Sequence, residues 1–207
     1  MELSFRKRLF AWILKRGDEL NHRLYGGMKL QLFSGITGTV VEIGPGSGIN
    51  FRYLPDSISW IGIEPNRAFH SHLTAQAQRF SISAQCLDGT AERIPLPNDH
   101  ADAVLCTLVL CSVKDPDAVA AELKRILKPN GRLYFIEHVA APSGSMLRSA
   151  QNILNPLNRL IADGCSCNRE TWLALERAGF SSLHIDHSSV LGSFSIHSPH
   201  ISGIAVK

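Results

Sequence analysis

The chain has 207 residues, of which 44% are hydrophobic and 19% charged, with 16 glycines and 10 prolines. That length suits one domain with some embellishment, and that composition excludes a disordered, collagen-like or repetitive chain. The net charge of +3 is too small a surplus to point to nucleic acid. It is also uneven: in residues 1–33, Arg6, Lys7, Arg8, Lys15, Arg16, Arg23 and Lys29 stand against Glu2, Asp18 and Glu19, so this segment is +4 and the remainder −1.

Residues 3–33 read as two helices divided at Gly17. The first combines Leu3, Phe5, Leu9, Phe10, Trp12 and Ile13 with most of the basic residues, a pattern that suits either peripheral contact with a membrane surface through residues 3–16 or packing on the domain. Its apolar run Leu9–Leu14 is too short for a spanning helix, and Lys15 and Arg16 follow at once, so neither a signal peptide nor a membrane span is expected. The second segment, 18–33, with Asn21, His22 and Tyr25, is placed to act as a lid that excludes water from a site. Five cysteines, an odd number with Cys106 and Cys111 in or beside an apolar run, suit reduced thiols and a cytoplasmic protein.

From Thr39 the pattern changes to short β-branched runs alternating with helix-length segments. Strands are expected at 39–43, 58–63, 81–87, 102–108, 131–137, 181–187 and 200–206. They imply an α/β fold: a single doubly wound domain over 1–207 with a mostly parallel seven-stranded sheet and leading helices. The clearest helix has Asp115 as its N-cap and Pro116 in its first turn, runs through Ala118 to Lys128, and is stopped by Pro129-Asn130-Gly131. A further helix is expected to start near Asn168.

The first strand runs straight into Gly44-Pro45-Gly46-Ser47-Gly48 and then a helix start at Ile49. Glycines let a ligand lie against the main chain at the carboxyl end of such a sheet. The spacing is not that of a dinucleotide fingerprint, because the last glycine would fall at Ile49, and no Gly-Lys-Ser/Thr follows, so nicotinamide and phosphate-loop readings are disfavoured. The second strand ends at Glu64, followed by Pro65 and Asn66. A carboxylate at that point accepts hydrogen bonds from ribose hydroxyls. Glu42, just before the glycines, is a second carboxylate able to orient a cationic amino group through the loop.

These motifs resemble the class I, Rossmann-like S-adenosylmethionine-dependent methyltransferases over about residues 20–207. The resemblance implies S-adenosylmethionine as cofactor and adds an adenine contact in Asp88-Gly89-Thr90-Ala91-Glu92, where Gly89, Thr90, Ala91 and Glu92 are the positions carried over. Many members have Asp-Ala-Glu where this chain has Thr90-Ala91-Glu92, so the contact falls to the Ala91 amide. The blocks Cys106–Lys114, Glu137–Ala141, Asp163-Gly164-Cys165, Arg169–Ala178 and Pro199–Lys207 look like the methyltransferase-like thiol S-methyltransferases of animal membranes. That resemblance implies methylation of a small thiol or of hydrogen sulfide. Animal members begin with a hydrophobic anchor, which the shorter basic segment 3–16 replaces here.

A sulfonium methyl is already activated, so the protein must chiefly hold a nucleophile in line at about 3–3.5 Å. A thiol of pKa about 8.5 supplies thiolate near neutrality without a strong base. Thr107 and Leu108 are expected to face the methionine part of the cofactor, with Tyr25 closing over it, while Cys111, Glu137 and His138 border the acceptor. His138 has two open roles, proton removal or a hydrogen bond to Asp163 or main chain, and Cys111 is either part of the site or a small buried hydrophobe. Cys165-x-Cys167 with His184, His187, His197 and His200 lacks the paired spacing of a structural zinc site, so no metal is expected. The alternatives are N-, O- or C-methylation of another small molecule, including a quinone-type lipid, and an inactive cofactor-binding protein held at membranes by its N-terminal segment.

Overall fold

The computed structural model describes residues 17–162, 164–190 and 195–207. The expected first helix at 3–16 and Asp163 lie outside the described residues. The remaining elements are α1 (Asp18–Leu32), β1 (Thr39–Ile43), a 3-10 turn (Ile49–Tyr53), β2 (Ser59–Ile63), α2 (His70–Arg79), β3 (Ser83–Leu87), β4 (Ala101–Thr107), α3 (Pro116–Ile126), β5 (Leu127–His138), α4 (Met146–Ile161), α5 (Trp172–Arg177), β6 (Ser182–Ser189) and β7 (Pro199–Val206).

The seven strands form one sheet in the order β3-β2-β1-β4-β5-β7-β6. β1 to β5 pair in parallel, and β7 runs antiparallel between β5 and β6. Alternation along the strands feeds two apolar layers, as a sheet covered on both faces requires. Val41, Val104, Leu133 and Phe135 pack on one side with Val119, Leu123 and Ile126 of α3. Val40, Ala103, Leu105 and Tyr134 pack on the other with Leu73 and Ala77 of α2. The strand order reverses between β1 and β4, the crevice where open α/β sheets bind ligands.

The Asp115 cap is present: its carboxylate accepts from the Asp117 and Ala118 amides at 3.1 and 3.0 Å. The helix behind it ends earlier than the sequence predicts, at Ile126 rather than Lys128. Leu127 is taken into the sheet opposite Ala101, and Pro129-Asn130-Gly131, with Asn130 at φ 64°, shape a bulge that ends where Arg132 meets Ala103. The expected helix near Asn168 begins only at Trp172, and Thr171 makes no side-chain cap. The backbone of the preceding residues is committed elsewhere: Ser166 N–H donates to the Cys111 carbonyl at 2.9 Å, and the Arg169 carbonyl accepts from the Ala140 amide at 2.9 Å.

α4 turns its polar side inward. Gln151 is buried, accepts the Ala141 amide at 2.8 Å and donates to the carbonyls of Val139 and Ile196, while Ile153, Leu157, Leu160 and Ile161 face outward. Among the described residues no helix is long and apolar enough to cross a membrane.

Candidate active site

The carboxyl ends of β1, β2, β4 and β5 open on a cavity of about 670 Å³. Its floor is the glycine loop, where Gly44, Gly46 and Gly48 all have positive φ. At Gly44 (φ 59°) a Cβ would also meet the Val109 side chain at 3.0 Å, so backbone and space both demand glycine.

Glu64 stands at the end of β2 with its carboxylate buried among amides. Oε1 accepts from Asn66 N–H at 2.7 Å and Oε2 from Gly46 N–H at 3.2 Å. Pro65 and Asn66 line the cavity beside it, and Thr90, Ala91 and Glu92 form the wall below β3. Glu92 also accepts the Lys114 amide at 3.0 Å.

Glu42 does not reach the cavity. It is buried behind the glycine loop, where Oε1 accepts from Asn50 Nδ2 and Oε2 from Trp60 Nε1, both at 2.8 Å. Burial raises its pKa against those two bonds. Its effect on the site passes through Asn50, which lines the cavity, also donates to Thr107 Oγ1 at 3.0 Å, and keeps a buried Oδ1 with no hydrogen-bond partner. Gly48 and Gly89 also lie behind the lining; a Cβ on Gly48 would strike Phe51, and one on Gly89 would strike Pro95.

After β4 the chain turns sharply through Leu108, which holds φ 59° while its N–H donates to the Ile136 carbonyl at 2.8 Å. Glu137 is fully buried beneath this turn instead of bordering the acceptor. It accepts the Val109 amide at 2.8 Å and the Cys111 amide at 3.4 Å, and burial lifts its pKa to about 7. Arg169 clamps the same turn by donating to the carbonyls of Leu110 and Val113 at 2.8 and 2.6 Å. Thr107 and Leu108 line the cavity as expected.

α1 supplies the roof. Asn21, Tyr25 and Lys29 lie one helical turn apart and face the cavity, whereas His22 turns away to pair with the Tyr53 hydroxyl at 2.6 Å. Lys29 is buried, donates to Asn21 Oδ1 at 2.8 Å, and is pushed down to about 8 by desolvation. His200 Nδ1 donates to the Ser198 carbonyl at 2.9 Å, so its Nε2 accepts from the Tyr25 hydroxyl at 2.8 Å. Burial holds His200 down to about 4 and lifts Tyr25 to about 12, which keeps both neutral.

The β5 side of the cavity gathers sulfur and imidazole. Cys111 Sγ and Cys165 Sγ are 3.2 Å apart, and Cys165 Sγ is 3.6 Å from both ring nitrogens of His138. His138 Nε2 lies 3.0 Å from His197 Nδ1, an imidazole partner that the sequence did not suggest. The deeply buried Cys111 is held well above the ordinary thiol range by its bond with Cys165 and by desolvation. Cys165 is drawn down toward thiolate by that bond and by His138.

The glycine loop, Glu64 and Glu92 named from the sequence line the cavity, whereas Lys29, Asn50 and the placement of His197 and His200 were missed. Lys29 carried a readable signal, since it follows Asn21 and Tyr25 at four-residue steps.

A methyltransferase-domain family matches residues 41–135. The human thiol S-methyltransferase TMT1A is 38% identical over 97% of this chain and 87% of its own length. The chain belongs to the thiol S-methyltransferase family. This methyltransferase is also 33% identical to the TMT1B of Rattus norvegicus over the same shares. Among solved structures it is similar to the methyltransferase partner of the Trm112 activator in Haloferax volcanii, with TM-score 0.74 and 18% identity, covering 100% of this chain and 99% of that one. A SAM-dependent methyltransferase of Thermotoga maritima gives 0.69 and 20%, covering 98% of each. The expected α/β fold, the S-adenosylmethionine cofactor and the methyltransferase activity are those of this family.

The residues present fit that cofactor. The unpartnered Asn50 Oδ1 and the buried Lys29 provide an acceptor for an ammonium and a cation for a carboxylate, and Glu64 provides an acceptor for hydroxyls at the other end.

Proposed function

We propose that this methyltransferase transfers methyl from S-adenosylmethionine to the sulfur of a small thiol or of hydrogen sulfide. When bound, the cofactor supplies a sulfonium methyl already activated toward a nucleophile. Glu64 holds the ribose hydroxyls, with Pro65 and Asn66 beside them; the Ala91 amide, flanked by Thr90 and Glu92, receives the adenine. Gly44 and Gly46 let the methionine portion lie on the main chain, Asn50 and Lys29 take its charged groups, and Thr107, Leu108 and Tyr25 enclose it. Glu42, Gly48 and Gly89 shape these positions from behind.

The observation that carries the sulfur reading is the composition of the acceptor wall. Cys111, Cys165, His138 and His197 meet there, while among the described lining residues the carboxylates are Glu64 and Glu92, on the β2 and β3 side. A wall of sulfur and imidazole accommodates a soft, easily ionised acceptor and offers no carboxylate base for an alcohol. The near-identical coverage of the thiol S-methyltransferase relatives supports the same reading. Cys111 and His138 hold the acceptor, and Asp163, just before Gly164 and Cys165 in the sequence, is assigned to orient it.

The test is transfer of labelled methyl to a panel of hydrogen sulfide, aliphatic and aromatic thiols, amines and phenols. Label confined to sulfur products supports the reading. Label on nitrogen or oxygen with inert thiols removes the sulfur assignment and leaves the methyltransferase.

A further inference from the structure

From the convergence of Cys111, Cys165 and His138 on the cavity wall, we infer a zinc site that captures the acceptor's sulfur. Its service to the acceptor rests on the thiol reading above; the metal site itself stands on donor geometry.

The three donor atoms lie within 4.8 Å of one another. Zinc bonds of about 2.3 Å to sulfur and about 2.0–2.1 Å to nitrogen put tetrahedral donors roughly 3.8 Å apart for two sulfurs and roughly 3.6 Å apart for sulfur and nitrogen. The sulfurs here are 3.2 Å apart, Cys165 Sγ is 3.6 Å from His138 and no pair exceeds 4.8 Å, so side-chain adjustments on the order of an ångström seat the ion. The sequence separation hid this set: Cys111 follows β4, His138 ends β5, and Cys165 sits in the loop after α4.

The support around these donors suits ligation. His138 Nε2 is engaged by His197 Nδ1 at 3.0 Å, which leaves Nδ1 for the metal and fixes the ring, the arrangement that ligating histidines need. The Cys111 backbone is held from both sides, its amide by Glu137 at 3.4 Å and its carbonyl by Ser166 N–H at 2.9 Å. Because all three ligands line the cavity, the fourth position faces it. Two thiolates, one imidazole and an open position make a catalytic rather than a closed structural site. An entering thiol displaces the metal-bound water, its S–H bond breaks heterolytically, the proton leaves to water, and a zinc–thiolate bond forms. No oxidant or reductant takes part.

The experiment uses the full chain, reduced with a phosphine, stripped with a chelator and titrated with Co(II). Uptake of one equivalent with intense tetrahedral thiolate absorption, displaced by Zn(II), is the expected result. Cys165→Ser and Cys111→Ser should lose most of the sulfur-to-cobalt absorption, while Cys86→Ser, on β3, retains it; circular dichroism reports whether each variant is folded. Adding ethanethiol to the cobalt protein should strengthen that absorption as a third sulfur enters, and ethanol should not. Uptake no greater than that of the folded Cys165→Ser variant overturns the site, and a spectrum indifferent to ethanethiol overturns its open position. Cobalt bound through both cysteines in a protein that methylates no thiol keeps the site and removes the thiol reading. Thiol methylation by a stripped protein that takes up no metal does the reverse.

Discussion

Tyr25 donates its hydroxyl proton to His200 Nε2 across 2.8 Å, joining the first described helix to the last strand over 175 positions of sequence. The bond fixes α1 as the roof of the cavity, because Asn21 and Lys29 ride on the same helical face. Tyr25→Phe leaves a buried His200 nitrogen without its donor, a cost of about 1–3 kcal/mol. The expected outcome is a lower melting temperature together with weaker calorimetric binding of S-adenosylhomocysteine. A variant with unchanged binding would show that the roof does not depend on this bond.

Glu64 has two tasks, holding the amides of Gly46 and Asn66 and facing the ligand. Loss of a charged acceptor is worth about 1.5–3 kcal/mol, so Glu64→Ala should weaken S-adenosylhomocysteine roughly 10- to 100-fold. Glu64→Gln keeps one acceptor oxygen and should fall between Glu64→Ala and wild type. Calorimetry on the three proteins checks the order.

Lys29 is a functional charge kept at a cost. Its folded pKa of about 8 lies below the ordinary 10.5, so between those values the unfolded chain binds the additional proton and stability rises with pH. Its contribution is complete above 10.5 and lost as pH falls through 8. Lys29→Met should therefore be more stable than wild type at neutral pH, by on the order of 2 kcal/mol after the lost Asn21 bond is counted. That advantage should close as the pH approaches 10.5, while binding of S-adenosylhomocysteine is weaker throughout. Denaturant unfolding across this range reads the sign directly.

Features set by neighbouring residues were legible in the sequence. β1 falls at 39–43 as expected, because its β-branched run and the glycines after it act locally, and Asp115 caps its helix for the same reason. The end of that helix was not legible: what stops it at Ile126 is the pairing of Leu127 with Ala101 across the sheet, a tertiary event. Cys111 and His138 were named for the acceptor wall, but the histidines that join them escaped for a related reason. His197 and His200 reach His138 only because β7 is inserted antiparallel between β5 and β6, which no local periodicity encodes. The partner that holds Glu42 behind the loop was not legible either, because Trp60 comes from β2, 18 positions on.

Trp60→Phe separates scaffold from site. The indole does not line the cavity, yet it satisfies one oxygen of the buried Glu42. Its loss should destabilise the fold by about 1–3 kcal/mol. S-adenosylhomocysteine affinity, measured well below the melting temperature, should change little while Asn50 still holds the other oxygen.

Everything proposed for the acceptor wall depends on sulfur being the acceptor atom. That assignment is tested most directly by offering the enzyme and labelled S-adenosylmethionine an equimolar mixture of an alkyl thiol with the alcohol and amine of the same carbon skeleton, and resolving the products by mass. The expected labelled product is the methyl thioether, with the alcohol and amine recovered unchanged. Label on oxygen or nitrogen in preference to sulfur would contradict it.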